Sequence, residues 1–314
     1  MKKIYLINLL LFSLLLIFSS CEKEITIDIP QTEPKLVVEG FIEPGMPPVV
    51  LLSNSIGYFA PTDIVSLQNM LVKDADVSIS LGGEEYPLTL VCVNELPDSI
   101  LPHVSNLTGL TVQQLVLFNY CFYTSINPAI WGKVNETYIL SINYKEKNYK
   151  STTRIPPIVL LDSIWFKKKN NESSLGIIWG KLSDPNGYNA YRIFTKRLGR
   201  DDKYTPIWGS VFEDKFFDGQ TFDFYFYRGI SANSDDPSDN NSERAYYKEG
   251  DTIVVKYCSI DADVYRFIRD IETEISNNGN PFASPTTIKS NISGNALGYW
   301  GGYGAVYDTI VAFE

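Results

Sequence analysis

The feature that most limits the fold of this chain is the alternation of apolar and polar residues in many short segments. Tyr138 to Tyr144 and Tyr149 to Thr153 alternate at every second position, and four residues separate them. Side chains of a β-strand point to opposite sides in turn, so this pattern predicts a hairpin of two strands that each bury one face. Similar segments recur along most of the chain. We therefore predict a mainly β protein of the sandwich type.

Two adjacent prolines divide the predicted strands into two groups. Pro156 and Pro157 have no backbone N–H to donate to a sheet, which favours an extended linker. We predict an N-terminal β-sandwich domain over residues 35–155 and a C-terminal β-sandwich domain over residues 158–314. In the second domain, Trp179 and Tyr191 lie on consecutive predicted strands, a pattern that resembles an immunoglobulin or fibronectin type III fold.

The C-terminal domain is expected to contain two further features. Residues 199–250 exceed what a sandwich requires, so we interpret them as an insertion. Residues 261–277 are predicted to form one amphipathic helix, because apolar residues recur at spacings of three and four after Asp261, a suitable N-terminal cap. The apolar side of this helix should pack against a sheet.

The N-terminus has the pattern of a bacterial lipoprotein signal. Two lysines precede an apolar run that ends at Phe18, and two serines then lead to Cys21. This predicts a signal peptide over residues 1–20, a lipid on Cys21, a linker over residues 21–34, and a location at the outer membrane, with surface exposure left open. The alternatives are a plain secretory signal and an N-terminal membrane helix, although the apolar run is shorter than the roughly 20 residues that cross a bilayer.

The acidic charge of the chain argues against several classes of partner. The formal net charge is −10, and removal of Lys2 and Lys3 with the leader would make it −12. Such a surface repels phosphate groups, which disfavours nucleic acids and anionic lipid surfaces. A lipid anchor would then have to supply the attachment to the membrane.

The cysteines leave two interpretations open. Cys92, Cys121 and Cys258 remain after the predicted lipidation site, and none has the C-x-x-C spacing of a zinc or redox pair. In an oxidising compartment, Cys92 and Cys121 could form a disulfide within the N-terminal domain. Alternatively, all three are small buried apolar residues.

No sequence motif assigns a reaction to this chain. His103 is the only histidine, it lies in a predicted loop, and neither Gly-x-Ser-x-Gly nor His-Glu-x-x-His occurs. A glycosidase with a pair of carboxylates remains an alternative, but nothing distinguishes two of the many acidic residues. We therefore predict no catalytic residue, no metal site, no cofactor and no enzymatic activity.

Two predicted loops are candidates for contacts with a ligand or partner, because loops on a rigid scaffold commonly carry recognition. The loop at residues 54–69 contains Tyr58 and Phe59, and residues 199–250 contain Asp235, Asp236 and Asp239. The acidic stretch offers oxygen ligands for calcium but lacks the spacing of an EF-hand loop, so a solvated loop is favoured. Aromatic residues at 297–303 are a further candidate stacking platform, for which core packing is the favoured alternative.

Several segments together resemble a family of Bacteroidota lipoproteins, the domain-of-unknown-function family 4249. They are the leader that ends at Cys21, Lys35 to Gly40, Tyr265 to Glu274, Asn278 to Phe282, Ser290 to Ile292 and Leu297 to Tyr303. The resemblance implies an envelope lipoprotein that often occurs beside TonB-dependent outer-membrane receptors, and it implies no catalytic residues. On this basis we expect a binding or accessory module for such a receptor. The alternative outside enzymes is a structural or adhesive surface module.

One short motif predicts a modification. Asp followed by Ser or Thr and an aliphatic residue occurs four times, at Asp98, Asp162, Asp251 and Asp308. It resembles the O-glycosylation site of exported Bacteroidota proteins. Ser99 is the best candidate, because it lies in a proline-flanked loop whereas the other three sites lie in or beside predicted strands.

Overall fold

Strands dominate the described part of a computed structural model of the chain, which comprises residues 33–57, 63–230, 243–277, 284 and 286–314. Five residues singled out above, together with Cys21 and its leader, lie outside these described ranges. The five are Tyr58, Phe59, Asp235, Asp236 and Asp239. Residues Pro34–Glu314 form one compact unit.

The described residues before the proline pair at Pro156 form eight strands and three α-helices. The strands are β1 (Leu36–Ile42), β2 (Val49–Asn54), β3 (Asp76–Leu81), β4 (Glu84–Pro87), β5 (Thr89–Cys92), β6 (Cys121–Thr124), β7 (Thr137–Tyr144) and β8 (Lys147–Arg154). The helices are α1 (Ile64–Met70), α2 (Leu101–Thr108) and α3 (Val112–Phe118).

Eight more strands and one longer helix follow the proline pair. The strands are β9 (Leu161–Lys168), β10 (Leu175–Ser183), β11 (Ala190–Arg197), β12 (Thr205–Glu213), β13 (Thr221–Phe226), β14 (Tyr247–Lys248), β15 (Thr252–Ile260) and β16 (Leu297–Val311). The helix is α4 (Ala262–Asn277). Among the described helices, none is both long and apolar enough to span a membrane.

The strands form three sheets. The largest has eight strands in the order β12-β11-β15-β16-β1-β2-β6-β5. A second sheet pairs β10 with β9, β13 and β14, and a third has the order β4-β3-β7-β8. β1 and β16 pair in parallel, whereas the other pairs in the large sheet are antiparallel.

The two smaller sheets pack on the same face of the large sheet. Val38 and Trp300 of the large sheet pack with Leu140 of β7 in one core. Val255 of the large sheet packs with Ile178 of β10 in another. Alternate residues of β16 point to this face, so the 15-residue strand contributes to both cores. The result is two adjacent sandwich-like layers that share one long sheet.

The helices cover the opposite face of the large sheet. Phe267 of α4 packs with Tyr303 of β16. At the other end, Leu115 of α3 packs with Val49 and Phe122. The space between these two helical groups contains the candidate site described below.

The mainly β class is confirmed, but the large sheet crosses the predicted domain boundary. β1, β2, β5 and β6 come from residues 35–155, whereas β11, β12, β15 and β16 come from residues 158–314. Two separate domains would require the pairing of β1 with β16 to be broken. The helix predicted over residues 261–277 is confirmed, with the Asp261 carboxylate accepting a hydrogen bond from the backbone N–H of Val264.

The structure corrects the interpretation of residues 199–250 as an insertion. This stretch contains β12, which is the edge strand of the large sheet, and β13 and β14, which pair with β10. Phe222, Phe224 and Phe226 alternate along β13 and contact the core between the sheets. The stretch is therefore needed to complete two of the three sheets.

Glycines allow β16 to approach its neighbours closely. Gly298 has a φ of +96°, and a Cβ atom there would lie 1.8 Å from the Val38 carbonyl oxygen. A Cβ atom at Gly302 would lie 2.4 Å from the Arg154 carbonyl oxygen. Tyr299, Trp300 and Tyr303 are buried, so core packing of the aromatic residues at 297–303 is confirmed.

We expect Gly298→Ala to destabilise the protein. The substitution combines an unfavourable backbone conformation with a steric clash, so it should lower the free energy of unfolding by roughly 2–4 kcal/mol. The measurement is urea unfolding of the purified protein. Gly57→Ala is the matched control, because a Cβ atom at Gly57 would meet nothing within 4 Å. Equal stability of Gly298→Ala and Gly57→Ala would contradict the expected clash.

Candidate functional site

A pocket lies on the helix-covered face of the large sheet, beside the C-terminal end of α2. Its volume is about 210 Å³, and we call it the Glu39 pocket. Glu39 lines it together with Thr108 and Gly109. The other lining residues are apolar or aromatic: Phe41, Val49, Leu51, Leu110, Tyr120 and Phe122. Among the nine described residues that line this pocket, Glu39 is the only one with a carboxylate.

The alternation of β1 places Glu39 on this side of the sheet. Val38 and Ile42 are fully buried in the core beneath the third sheet, so the intervening odd-numbered residues face the helices. Phe41 follows on the same face and packs against both helical cores. Glu39 lies opposite Tyr299 of β16 and Leu51 of β2 in the strand register.

The turn between α2 and α3 forms the helical side of the pocket. Gly109 ends α2 in the left-handed conformation, and the Leu110 carbonyl oxygen accepts a hydrogen bond of 2.6 Å from the Ser105 hydroxyl. Thr111 and Gln114 form a capping box at the start of α3, with reciprocal hydrogen bonds of 2.9 and 3.1 Å. These local bonds fix the turn at the edge of the pocket.

A disulfide closes the chain segment that contains these two helices. Cys92 at the end of β5 is bonded to Cys121 at the start of β6, with a sequence separation of 29. This is the pairing that the sequence analysis left as one of two alternatives. Cys258 is a buried free cysteine. Closing the segment restricts the unfolded chain and so supports the pocket wall.

The β11–β12 hairpin also contacts this wall. The Lys196 ammonium donates a hydrogen bond of 2.9 Å to the Asn106 side-chain oxygen of α2. The Lys203 ammonium donates one to the Gly109 carbonyl oxygen. Burial lowers the pKa of Lys203, although the charge of Asp202 raises it in part. The pocket wall is thus attached to strands from both halves of the chain.

The Glu39 carboxylate is exposed, but it faces the pocket and the protein around it. Burial among these groups raises the pKa of Glu39, and the charge of Arg192 lowers it in part. Tyr120 also has a raised pKa, first because of its burial and second because of the charge of Glu39. No side chain in the described ranges hydrogen-bonds to the Glu39 carboxylate.

A second glutamate, Glu43, lies on the same side of the large sheet as Glu39 but has a different environment. Glu43 is buried and forms an ion pair with the buried Lys256. The Tyr307 hydroxyl donates a further hydrogen bond of 3.0 Å to Glu43. The sheet therefore supplies partners to Glu43 and leaves Glu39 facing the pocket.

Three carboxylates elsewhere lie close enough to hold a metal ion. One oxygen of each of Asp184, Asp214 and Asp218 lies within 4.8 Å of the others. Each carboxylate accepts a hydrogen bond within this region. The donors are the Tyr191 hydroxyl at 2.5 Å from Asp184, the Asn189 N–H at 2.6 Å from Asp214 and the Gly187 N–H at 2.8 Å from Asp218.

These bonds connect the turn after β10 with the turn after β12. Burial is the main cause that raises the pKa of Asp214, and the charges of Asp184 and Asp218 add to it. The hydrogen bonds account for the positions of all three carboxylates as supports of the two turns.

The residues selected from the sequence are distributed over the molecule. Ser99 is exposed in a short 3-10 helix, Asp98–Ile100. His103 is exposed on α2, whereas the sequence analysis placed it in a loop. Glu39 was not selected as a site residue. The sequence signal that marks it is a charged residue within the buried strand Leu36–Ile42.

We expect Glu39→Gln to stabilise the protein near neutral pH. A raised pKa means that the folded state disfavours the ionised carboxylate, so stability falls as the pH rises through that pKa. The variant removes this cost and should raise the thermal unfolding midpoint at about pH 7.5, and by less at about pH 4, near the ordinary glutamate pKa. Glu146→Gln, at an exposed hairpin turn, is the control. A gain for Glu39→Gln that is larger at the lower pH would contradict the raised pKa.

Among the comparisons with known proteins, a family model supplies the match, and it assigns no function. None of the curated proteins with which the chain was compared matches it. The model of a domain of unknown function, DUF4249, matches residues 22–307, which is most of the chain. The chain therefore belongs to the DUF4249 family.

Proposed function

We propose that the protein is a lipid-anchored, non-catalytic binding module of the outer membrane that assists a TonB-dependent receptor in nutrient capture. The observation that carries this proposal is the Glu39 pocket. It combines one carboxylate with six apolar or aromatic residues, four of which, Phe41, Val49, Leu51 and Phe122, lie on strands of the large sheet. Pockets of this composition, mostly apolar with a few polar groups, are typical of ligand binding.

The N-terminal sequence supports the membrane anchor. The apolar run and the serines before Cys21 have the lipoprotein pattern, and the family match begins at residue 22. A tether raises the effective concentration of a module near a receptor in the same membrane. This advantage would be lost to a freely diffusing binder, so the anchor and a membrane partner fit together.

Two alternatives receive less support. An adhesive surface module would need an exposed patch, but the aromatic residues at 297–303 that were its main candidate are buried. A glycosidase would need two carboxylates across a cleft. The described lining of the Glu39 pocket supplies one.

We expect Cys21→Ala to abolish lipid attachment. The thiol of Cys21 is the predicted attachment point, so the variant should not incorporate a fatty-acid probe during metabolic labelling and should leave the membrane fraction. Cys258→Ala serves as the control, because this buried cysteine lies in β15. Equal labelling of Cys21→Ala and the wild type would exclude the lipoprotein assignment.

We also expect the intact protein to recover a TonB-dependent receptor from detergent-solubilised outer membrane. If the acidic residues form part of the contact, replacing Asp235, Asp236 and Asp239 with asparagine should reduce recovery. The control replaces three exposed glutamates, Glu136, Glu146 and Glu172, with glutamine. Failure of the wild type to recover a receptor would contradict the proposal that such a receptor is the partner. Equal recovery by both triple variants and the wild type would contradict the contact site.

A further inference from the structure

The Glu39 side chain is exposed and lines the pocket, and its carboxylate has no hydrogen-bond partner in the described part of the chain. Hydrogen bonds between an ionised carboxylate and a cationic donor are short and roughly twice as strong as those between neutral groups. The pocket gives this carboxylate an open side. A ligand that enters the pocket can therefore supply the missing partner.

Two polar neighbours of Glu39, Tyr299 and Arg192, hydrogen-bond to Tyr303. Tyr299 lies opposite Glu39 in the strand register, but its hydroxyl accepts a hydrogen bond of 3.3 Å from the Tyr303 hydroxyl and its ring packs on Phe267. Arg192 donates a hydrogen bond of 2.7 Å to Tyr303. Its charge acts on Glu39 without a direct ion pair. The sheet thus leaves the Glu39 carboxylate available.

Glu43 on the same side of β1 provides an internal comparison. Its carboxylate is paired with the Lys256 ammonium and accepts a hydrogen bond from Tyr307. An ammonium group is therefore the partner that this sheet face provides for Glu43, which is buried whereas Glu39 is exposed. The open carboxylate of Glu39 is complementary to the same kind of group.

The other walls restrict the rest of the ligand. Phe41, Leu51 and Phe122 present apolar surface to the pocket, so a ligand must bring an apolar body to gain from displacing water. The pocket has a volume of about 210 Å³. Only a small molecule fits such a space. An anionic ligand would be repelled by Glu39.

We propose that the Glu39 pocket binds a small organic primary amine, with the ammonium group on the Glu39 carboxylate and the apolar body against Phe41, Leu51 and Phe122. This inference rests on the proposed binding function and names the ligand class of the same site. It assigns Glu39 as the residue that selects positive charge. The apolar walls select a hydrocarbon body over a fully hydrated cation.

The test is calorimetric titration of the full mature protein with hexylammonium chloride, hexan-1-ol and sodium hexanoate. These probes share a six-carbon body and differ in charge. We expect hexylammonium to bind and the other two to bind at least about tenfold more weakly, because a hydrogen bond to a charged group contributes at least this factor. Equal affinities for hexylammonium and hexan-1-ol would overturn the role of charge, and no binding of hexylammonium would overturn the proposal.

Two variants locate the site. Glu39→Gln keeps the shape of the side chain and should weaken hexylammonium binding at least about tenfold. Glu146→Gln at the exposed turn should leave it unchanged. Leu51→Phe adds volume within the pocket and should abolish binding while circular dichroism stays unchanged. Wild-type affinity in Glu39→Gln would overturn the assignment whether or not Leu51→Phe folds.

The outcome separates this inference from the proposed function. Recovery of a receptor by a protein that binds no hexylammonium would refute the proposed amine ligand and leave the proposed receptor partner standing. Hexylammonium binding that depends on Glu39, without receptor recovery, would support the proposed amine site and refute the proposed receptor partner.

Discussion

The parallel pairing of β1 with β16 is the contact on which the rest of the structure depends. It joins a strand near residue 40 to one near residue 300, with Gly40 opposite Trp300. Trp300 is fully buried, and its indole N–H donates a hydrogen bond of 3.2 Å to the Tyr138 carbonyl oxygen of the third sheet. Asn291 bonds both backbone groups of Trp300, at 3.0 and 2.8 Å. Both sandwich-like layers and both helical groups are built around this seam.

Local sequence patterns predicted most strands but could not predict this seam. The β7–β8 hairpin and α4 are specified by residues close together in the chain, through alternation in one case and helical spacing in the other. The partner of β1 lies some 260 residues away, and period-two alternation says nothing about which strand pairs with which. The helices α2 and α3 have only eight and seven residues. Such short helices depend on tertiary packing more than on their own sequence, so no clear periodicity marked them.

The candidate site was missed for the same reason. Glu39 and Glu43 are two residues of one type on one side of one strand, and nothing local distinguishes them. Lys256, which pairs with Glu43, is 213 residues away. The turn at Gly109 that borders the Glu39 pocket comes from a third part of the chain. The chemical difference between the two glutamates therefore arises only when all these segments meet.

This dependence links ligand binding to the stability of the whole unit. The pocket wall comes from the end of α2 and the turn that leads to α3, its base from β1, β2 and β6, and its outer support from the β11–β12 hairpin. A raised pKa means that the folded state disfavours the ionised form of Glu39. A cationic ligand that pairs Glu39 would offset this cost and stabilise the folded state in proportion to its occupancy. Pairing of the Glu39 carboxylate by a cationic ligand would therefore couple occupancy of the pocket to the stability of the fold.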